Sequence, residues 1–531
     1  MRPALILLLA ALSFACGDGR GGAKPTEGAT FVWGRSGDAV RLDPALVTDG
    51  ESVQVITNIF DTLVSFKPGT TELVAWLATS WESSDDGLVW TFHVREGVKF
   101  HDGSALDAEA VVFSFQRQAD PSHPAHRDED DFAYYKTNFK AMERIEAVDA
   151  HTVRFTLKQP YAPFLAALAL FNCSIVSPAA FASEGTDDQG KYKYDFSSNP
   201  VGSGPFVFKS WQRDSRIVLK ANPGHFAGKP KIERLIFKPI KNAHTRLKEL
   251  QSGTIQGMDN PSLRDLDRAD ELTGAHLVTK PGINVCYLAM NTEKAPFDDV
   301  RVRQAVAFAI DKRGLIESAY DGKAEPAVSM CPASMAGHLA LEDRKLDRAR
   351  AKALLAEAGV APGLEVELWY PVIQRTYLPD SSATAIQIQQ DLKAIGIVAN
   401  LRKVEWTPYL AGTANGEHDL CILGWMADIF DPDNFLYVLL DKENAVKPAE
   451  NRSFYKGEEV HRLLIEAQRT SDWPAREKLY HEAQRILHRD APVIPLATVP
   501  DYRVLRDNVE GYQIYPAGGE YFRHVSIRPG P

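Results

Sequence analysis

The chain has 531 residues, of which 44% are apolar, 24% charged and 10% aromatic. That composition excludes a disordered chain, a collagen-like repeat and a coiled coil, and at about 150 residues per domain the length implies three to four domains, or two large lobes with one subdivided. With 60 Lys+Arg against 70 Asp+Glu the formal charge is −10, which argues against nucleic acid or an anionic membrane surface as the main partner.

The chain opens with one positive charge in Met1-Arg2-Pro3, an apolar run over 4–12, and small residues Ser13 and Ala15 at −3 and −1 before Cys16. The run is too short to span a bilayer and reads as a secretory signal over 1–15. Later runs all fall short of about 18 apolar residues, so no transmembrane helix is expected in the mature protein. Ala15-Cys16 resembles a lipobox, with Cys16 as the lipid attachment site. The usual Leu at −3 is replaced by Ser13, which leaves simple cleavage after Ala15 as the alternative. Residues 16–29 are Gly-rich and polar, as a flexible tether is.

From 30 to 280 the sequence is dominated by short strand-like runs with turn punctuation. VWTFHV at 89–94 alternates between two Gly-containing turns, and TVRFTL at 152–157 alternates likewise. Residues 109–118 read as a helix with Asp107 as N-cap. From 281 to 498 helix and strand alternate. Asp299 caps a helix over 300–310, and Asp347 caps one through Leu355 closed by Gly359. A strand at 365–370 leads to an amphipathic helix over 383–394. Then come a strand at 397–404, a short helix at 409–414 and a strand at 419–424. This rhythm implies parallel pairing with right-handed crossovers. After Val499 strand-like patterning returns. The expected fold is α/β with two lobes: 30–280 with an inserted subdomain, 281–498, and 499–531 returning to the first. The hinge falls near 281–284 and 497–499.

Ligands of open α/β sheets bind beyond the carboxyl ends of strands. Arg375 follows the strand ending at Tyr370, and Asp428 follows the strand ending at Gly424, so the two face one crevice if their strands are neighbours. The alternative is that they pair with each other, or with neighbours, on a solvated loop. Enzyme signatures fail on inspection. Val201-Gly202-Ser203-Gly204-Pro205 lacks the Gly that a nucleophile elbow needs two residues before its Ser, and Gly202 and Gly204 lack the third Gly of a dinucleotide fingerprint. HExxH is missing, and His481 and His488 read as a solvated pair on a polar helix. No catalytic role, cofactor or metal is expected. Cys173, Cys286, Cys331 and Cys421 contain no CxxC, and either disulfides or buried thiols suit them.

One set of motifs is specific. It comprises Leu77-Ala78-Thr79-Ser80-Trp81-Glu82, Arg95-x-Gly97-Val98-Lys99-Phe100-His101-Asp102-Gly103, Asn199-Pro200-Val201-Gly202-Ser203-Gly204-Pro205-Phe206 and Asp299-Val300-Arg301-Val302-Arg303-Gln304-Ala305. In this order they resemble the bacterial extracellular solute-binding proteins of family 5, peptide and nickel carriers of ABC importers, and most of all the dipeptide carriers. The likeness runs from about Phe31 to Ile527. It implies a periplasmic-binding-protein-like fold of class II, the large peptide-binder type, with two lobes closing on a ligand. It further implies an exported monomer that works with ABC permease subunits.

By this resemblance Asp428, in Gly424-Trp425-Met426-Ala427-Asp428, holds the ligand's α-ammonium. Arg375, in Gln374-Arg375-Thr376-Tyr377, holds its α-carboxylate, with Tyr377 and Trp425 as apolar walls. Thr48 and Gly50 contribute from the first lobe. Two departures stand out: Asp49 where a small polar residue is usual, adding charge near the cleft, and Ile429-Phe430, more apolar than the usual loop. Dipeptides are the expected ligand. Oligopeptides, glutathione, haem or a nickel chelate on the same fold are alternatives, and a peptide hydrolase is a third reading of a different class.

Overall fold

A computed structural model describes residues 28–127, 131–515 and 518–529. The expected signal, Cys16 and most of the tether lie outside the described residues.

Two sheets organise the molecule. The first has seven strands, in the order Ala275–Lys280, Asp501–Arg506, Gly257–Met258, Thr30–Arg35, Arg234–Pro239, Arg216–Ala221 and Phe206–Gln212. Thr30–Arg35 runs parallel to both its neighbours, and the other pairs are antiparallel. Its core is aromatic: Phe31 and Trp33 are fully buried, and Phe522 from the chain's tail packs edge-on to Trp33 at 5.3 Å. A second cluster beside it belongs to a subdomain built on the antiparallel sheet Ala78–Ser83, Val89–Val94, Thr152–Leu157 and Met142–Asp149. The helix Ala108–Ala119 lies on this sheet, with Asp107 accepting from the Ala110 N–H at 3.0 Å as its cap.

The second lobe has six strands, in the order Glu325–Pro326, Val493–Thr498, Asn284–Met290, Leu420–Met426, Leu364–Pro371 and Ile397–Val404. Asn284–Met290 is buried along its whole length. Val285, Tyr287 and Ala289 face one core while Cys286, Leu288 and Met290 face another, as a strand covered by helices on both sides requires. Ser381–Ala394 and Val300–Ala309 supply one covering layer; Asp433–Leu440, Glu458–Arg469 and Trp473–Asp490 supply the other. The helix–strand rhythm holds for the parallel group around Leu364–Pro371. Asn284–Met290 is antiparallel to both neighbours, so the sheet is mixed where sequence rhythm implied a parallel one. The short helix begins at Trp406, earlier than expected, because Pro408 is tolerated in a first turn that lacks hydrogen-bonded N–H groups.

The chain passes between the two sheets at 281–283 and again at 499–500, and these crossings are stitched together. Asn284 donates to the Val499 carbonyl at 2.8 Å, and the Val499 N–H donates back at 3.0 Å. At Gly282 a Cβ would stand 1.9 Å from the Val499 oxygen, so the crossings approach this closely only because residue 282 has none.

One sequence reading changes here, and the open alternative for the cysteines is decided. His481 and His488 share a helix, but neither is solvated: both are partly buried, and burial next to Arg344 and Lys312 pushes His488 down to about 4. The four cysteines described are buried free thiols. Burial holds Cys286 and Cys421 at about 12, far from the reactive thiolate. No helix among the described residues is long and apolar enough to cross a membrane.

Candidate ligand-binding site

Leu364–Pro371 and Leu420–Met426 are parallel neighbours, with Leu368 opposite Leu420. Their carboxyl ends therefore emerge on the same side, and the loops after them carry Arg375 and Asp428.

Asp428 sits in a tightly determined loop. Its own N–H donates to the Asn434 side-chain oxygen at 3.1 Å, and the Trp425 indole N–H donates to the same oxygen at 3.0 Å. The Ala427 N–H donates to the Ile283 carbonyl at 3.0 Å, tying the loop to the hinge segment. Three residues on, Asp431 takes a bidentate contact from the buried Arg476 at 2.7 and 2.8 Å and a hydrogen bond from Tyr480. Arg476 is thus committed to Asp431. Among the described residues no cation lies within 4.0 Å of Asp428. Among the described residues its carboxylate has one side-chain partner, Tyr134 of the other lobe, whose hydroxyl donates to Oδ1 at 3.0 Å. Burial lifts the Asp428 carboxyl to about 6, and the Tyr134 hydrogen bond pulls the other way without cancelling it.

Arg375 begins a four-residue turn, 375–378, closed at both ends. Its N–H donates to the Leu378 carbonyl at 3.1 Å, and the Leu378 N–H returns the bond at 2.9 Å. The guanidinium is exposed and rests over the Trp406 ring, 5.1 Å from its centroid. Among the described residues no carboxylate lies within 4.0 Å of it, so Arg375 and Asp428 do not neutralise each other.

Tyr377 joins the two loops. Its ring lies against Gly424, where a Cβ would fall 2.2 Å from Cδ2, so the strand needs glycine at that point. Its carbonyl accepts from the Tyr320 hydroxyl at 2.9 Å, and burial pushes its own hydroxyl up to about 12. Tyr377 therefore packs on the lobe's core as well as bordering the site.

From the first lobe come Thr48 and Gly50, both exposed. Asp49 between them is not a loose charge in the cleft. It caps the helix Gly50–Ile56, accepting from the Ser52 N–H at 2.8 Å. Burial and the Asp428 carboxylate raise the Tyr134 hydroxyl, and the Asp49 charge adds to them.

Sequence reading missed Tyr134, Asn434 and Trp406. Asn434 had a faint signal, the polar run Asp431-Pro432-Asp433-Asn434 straight after an apolar pair. Tyr134 had none, since only the closing of one lobe on the other brings it to Asp428.

A family model, "Bacterial extracellular solute-binding proteins, family 5 Middle", matches residues 72–447. The dipeptide-binding protein of Escherichia coli is 36% identical over 519 residues, covering 95% of this chain and 96% of that one. Heme-binding protein A of Haemophilus influenzae is 37% identical over 516 residues, covering 95% and 93%. Among solved structures, the ABC transporter-associated periplasmic binding protein DppA from Helicobacter pylori, in complex with peptide STSA, superposes with a TM-score of 0.80 at 36% identity, covering 95% of this chain and 99% of that one.

Proposed function

The chain belongs to family 5 of the bacterial extracellular solute-binding proteins, and we propose that it is the substrate-binding component of an ABC importer whose ligands are short zwitterionic peptides, dipeptides foremost. One observation carries the reading. A half-buried carboxylate without a cation and an exposed arginine without a carboxylate, among the described residues, stand beyond the ends of adjacent strands. Holding the Asp428 charge desolvated and uncompensated costs free energy that a ligand ammonium offsets, while the exposed Arg375 is left free to meet a ligand carboxylate.

A dipeptide has an ammonium and a carboxylate at a set separation. Asp428 takes the first, and the planar Arg375 takes the second in a bidentate contact. Tyr377, Trp425 and Gly424 shape the wall between them, and Thr48 and Gly50 close from the opposite lobe. Bridging waters in such a site tolerate varied side chains. Delivery to the permease follows closure of the lobes about 281–283 and 499–500.

A second reading rests on the similarity to a haem-binding protein, in which the same cleft takes a larger ligand. Native mass spectrometry of the protein as purified separates the two. A bound mass in the dipeptide range is expected; haem, with its strong visible absorbance, or a mass well above that of a tripeptide overturns the dipeptide reading. Peptide turnover by the purified protein would revive the hydrolase alternative. Lipidation of Cys16 completes the proposal as the means of envelope attachment, and Cys16→Ser should then move the protein from membranes to the soluble fraction.

A further inference from the structure

The loop that carries Asp428 does something beyond holding a carboxylate. Its next residue, Ile429, is 3% exposed, and its apolar neighbours belong to the subdomain of the other lobe. Phe430 stands edge-on to Phe66 of that subdomain, with ring centroids 4.9 Å apart at 87°, and also touches the core of its own lobe. A backbone hydrogen bond also crosses between the lobes. The Ala162 N–H donates to the Gln468 carbonyl at 2.7 Å across the lobes, and Gln468 in turn donates to Asp433 at 2.9 Å. On its own side the loop is anchored by the buried Asp431–Arg476 contact. Two apolar side chains are thus carried rigidly by one lobe and complete the core of the other.

We propose that Ile429 and Phe430 form an interlobe latch that sets the closed fraction of the protein independently of which ligand is bound. An exposed apolar pair at a cleft mouth is unfavourable in water, and seating it removes that area. The latch therefore shifts the open–closed equilibrium toward closed. Apparent affinity scales with the fraction of binding-competent protein, so it raises affinity for every ligand by one common factor. The Asp428 carboxylate, one residue away, discriminates between ligands; the latch does not.

The ligand arm of the test rests on the dipeptide reading, and the scattering arm does not. Ile429→Asn combined with Phe430→Ala should expand the radius of gyration of the protein alone in solution scattering. Saturating dialanine should restore compaction. Affinities for dialanine and for N-acetyl-dialanine should fall by the same factor, roughly ten-fold or more for two seated side chains. Phe66→Leu loosens the seat of Phe430 from the other lobe while leaving the sequence of the Asp428 loop unchanged, and should give a smaller change of the same kind. It keeps the test decisive if the double variant fails to fold. Scattering curves of Phe66→Leu and the double variant identical to wild type overturn the latch. So does a loss confined to the free dipeptide, which would mean that the pair acts through Asp428. If dialanine binds neither wild type nor variant, the dipeptide reading fails while the scattering comparison still decides the latch.

Discussion

The two charged ends of the site are built differently. Asp428 is half-buried, its backbone fixed by Asn434, its loop anchored by Asp431–Arg476, and one oxygen already engaged by Tyr134. Arg375 is exposed, hangs from a four-residue turn and leans on one indole ring. One end is held by several contacts and desolvated; the other is held by a single ring and open to solvent. A charge contact in a desolvated setting is strong and demands exact placement, whereas an exposed one is weak and adaptable. On the proposed reading, such a site would fix the amino end of a peptide and tolerate variation at its carboxyl end.

The largest expected effect follows from the desolvated end. Removing one member of a buried, hydrogen-bonded charge contact costs about 2–5 kcal/mol, so Asp428→Ala should weaken dialanine binding by roughly thirty-fold to several thousand-fold in calorimetry. Asp428→Asn should hurt the free dipeptide far more than its N-acetyl form, which has no ammonium. Equal losses for both would remove Asp428 from the ammonium role.

The same residue predicts a pH dependence. With its carboxyl lifted from 3.8 to about 6, Asp428 contributes to fold stability in a way that falls as pH rises through that interval, because the folded chain holds the proton longer. Ligand affinity runs the other way, since the ammonium needs the ionised form. At pH 5 about a tenth of Asp428 is ionised, so affinity should drop close to ten-fold between pH 7 and 5. Asp433, lifted to about 7 by burial and the adjacent Asp431 charge, titrates in the same range. The profile of Asp428→Asn isolates the two: a flat profile assigns the dependence to Asp428, and an unchanged one assigns it elsewhere.

A smaller effect tests how the two ends are joined. In Gly424→Ala the new Cβ would sit 2.2 Å from the Tyr377 ring. Tyr377 must then move, at the usual overpacking cost of about 1–3 kcal/mol in a thermal or urea melt. Because Tyr377 belongs to the Arg375 turn, dialanine affinity should fall with it; a loss of stability alone would uncouple the turn from the site.

Local chemistry was legible in the sequence and long-range contact was not. The caps Asp107, Asp299 and Asp347 could be read because a capping side chain bonds N–H groups two or three residues away. The positions of Arg375 and Asp428 at strand ends could be read for a similar reason, since strand length is a local pattern. The antiparallel placement of Asn284–Met290 beside Leu420–Met426 joins segments more than a hundred residues apart, and alternation within either strand carries no sign of it. His488 read as solvated because its own helix is polar; the groups that bury it, Arg344 and Lys312, come from elsewhere. Asp49 read only as added charge near the cleft, because a cap and a non-capping acid look alike until the helix after it is placed. The apolar Ile429-Phe430 was visible as an oddity, but only the seat in the other lobe says what it does.

The smallest effects belong to the adaptable end. Arg375 is exposed, so water screens its contact with a ligand carboxylate, and Arg375→Gln should cost about 1–2 kcal/mol, roughly five- to thirty-fold, clearly less than Asp428→Ala. Trp406 acts one step further back, by holding the guanidinium in place. A cation–π contact at an exposed site contributes about 0.5–1 kcal/mol, so Trp406→Leu should weaken dialanine binding only about two- to five-fold. Its signature is selectivity. Wild type should bind dialanine better than dialanine amide, and Trp406→Leu should narrow that gap while leaving the preference for a free amino terminus intact. Tripeptides, whose carboxylate reaches further, should lose less in Trp406→Leu than dipeptides do, because a released Arg375 can follow the longer ligand. If Trp406→Leu instead removes discrimination at the amino end, or costs as much as Asp428→Ala, the two ends are not mechanically distinct and the contrast between a fixed and an adaptable clamp fails.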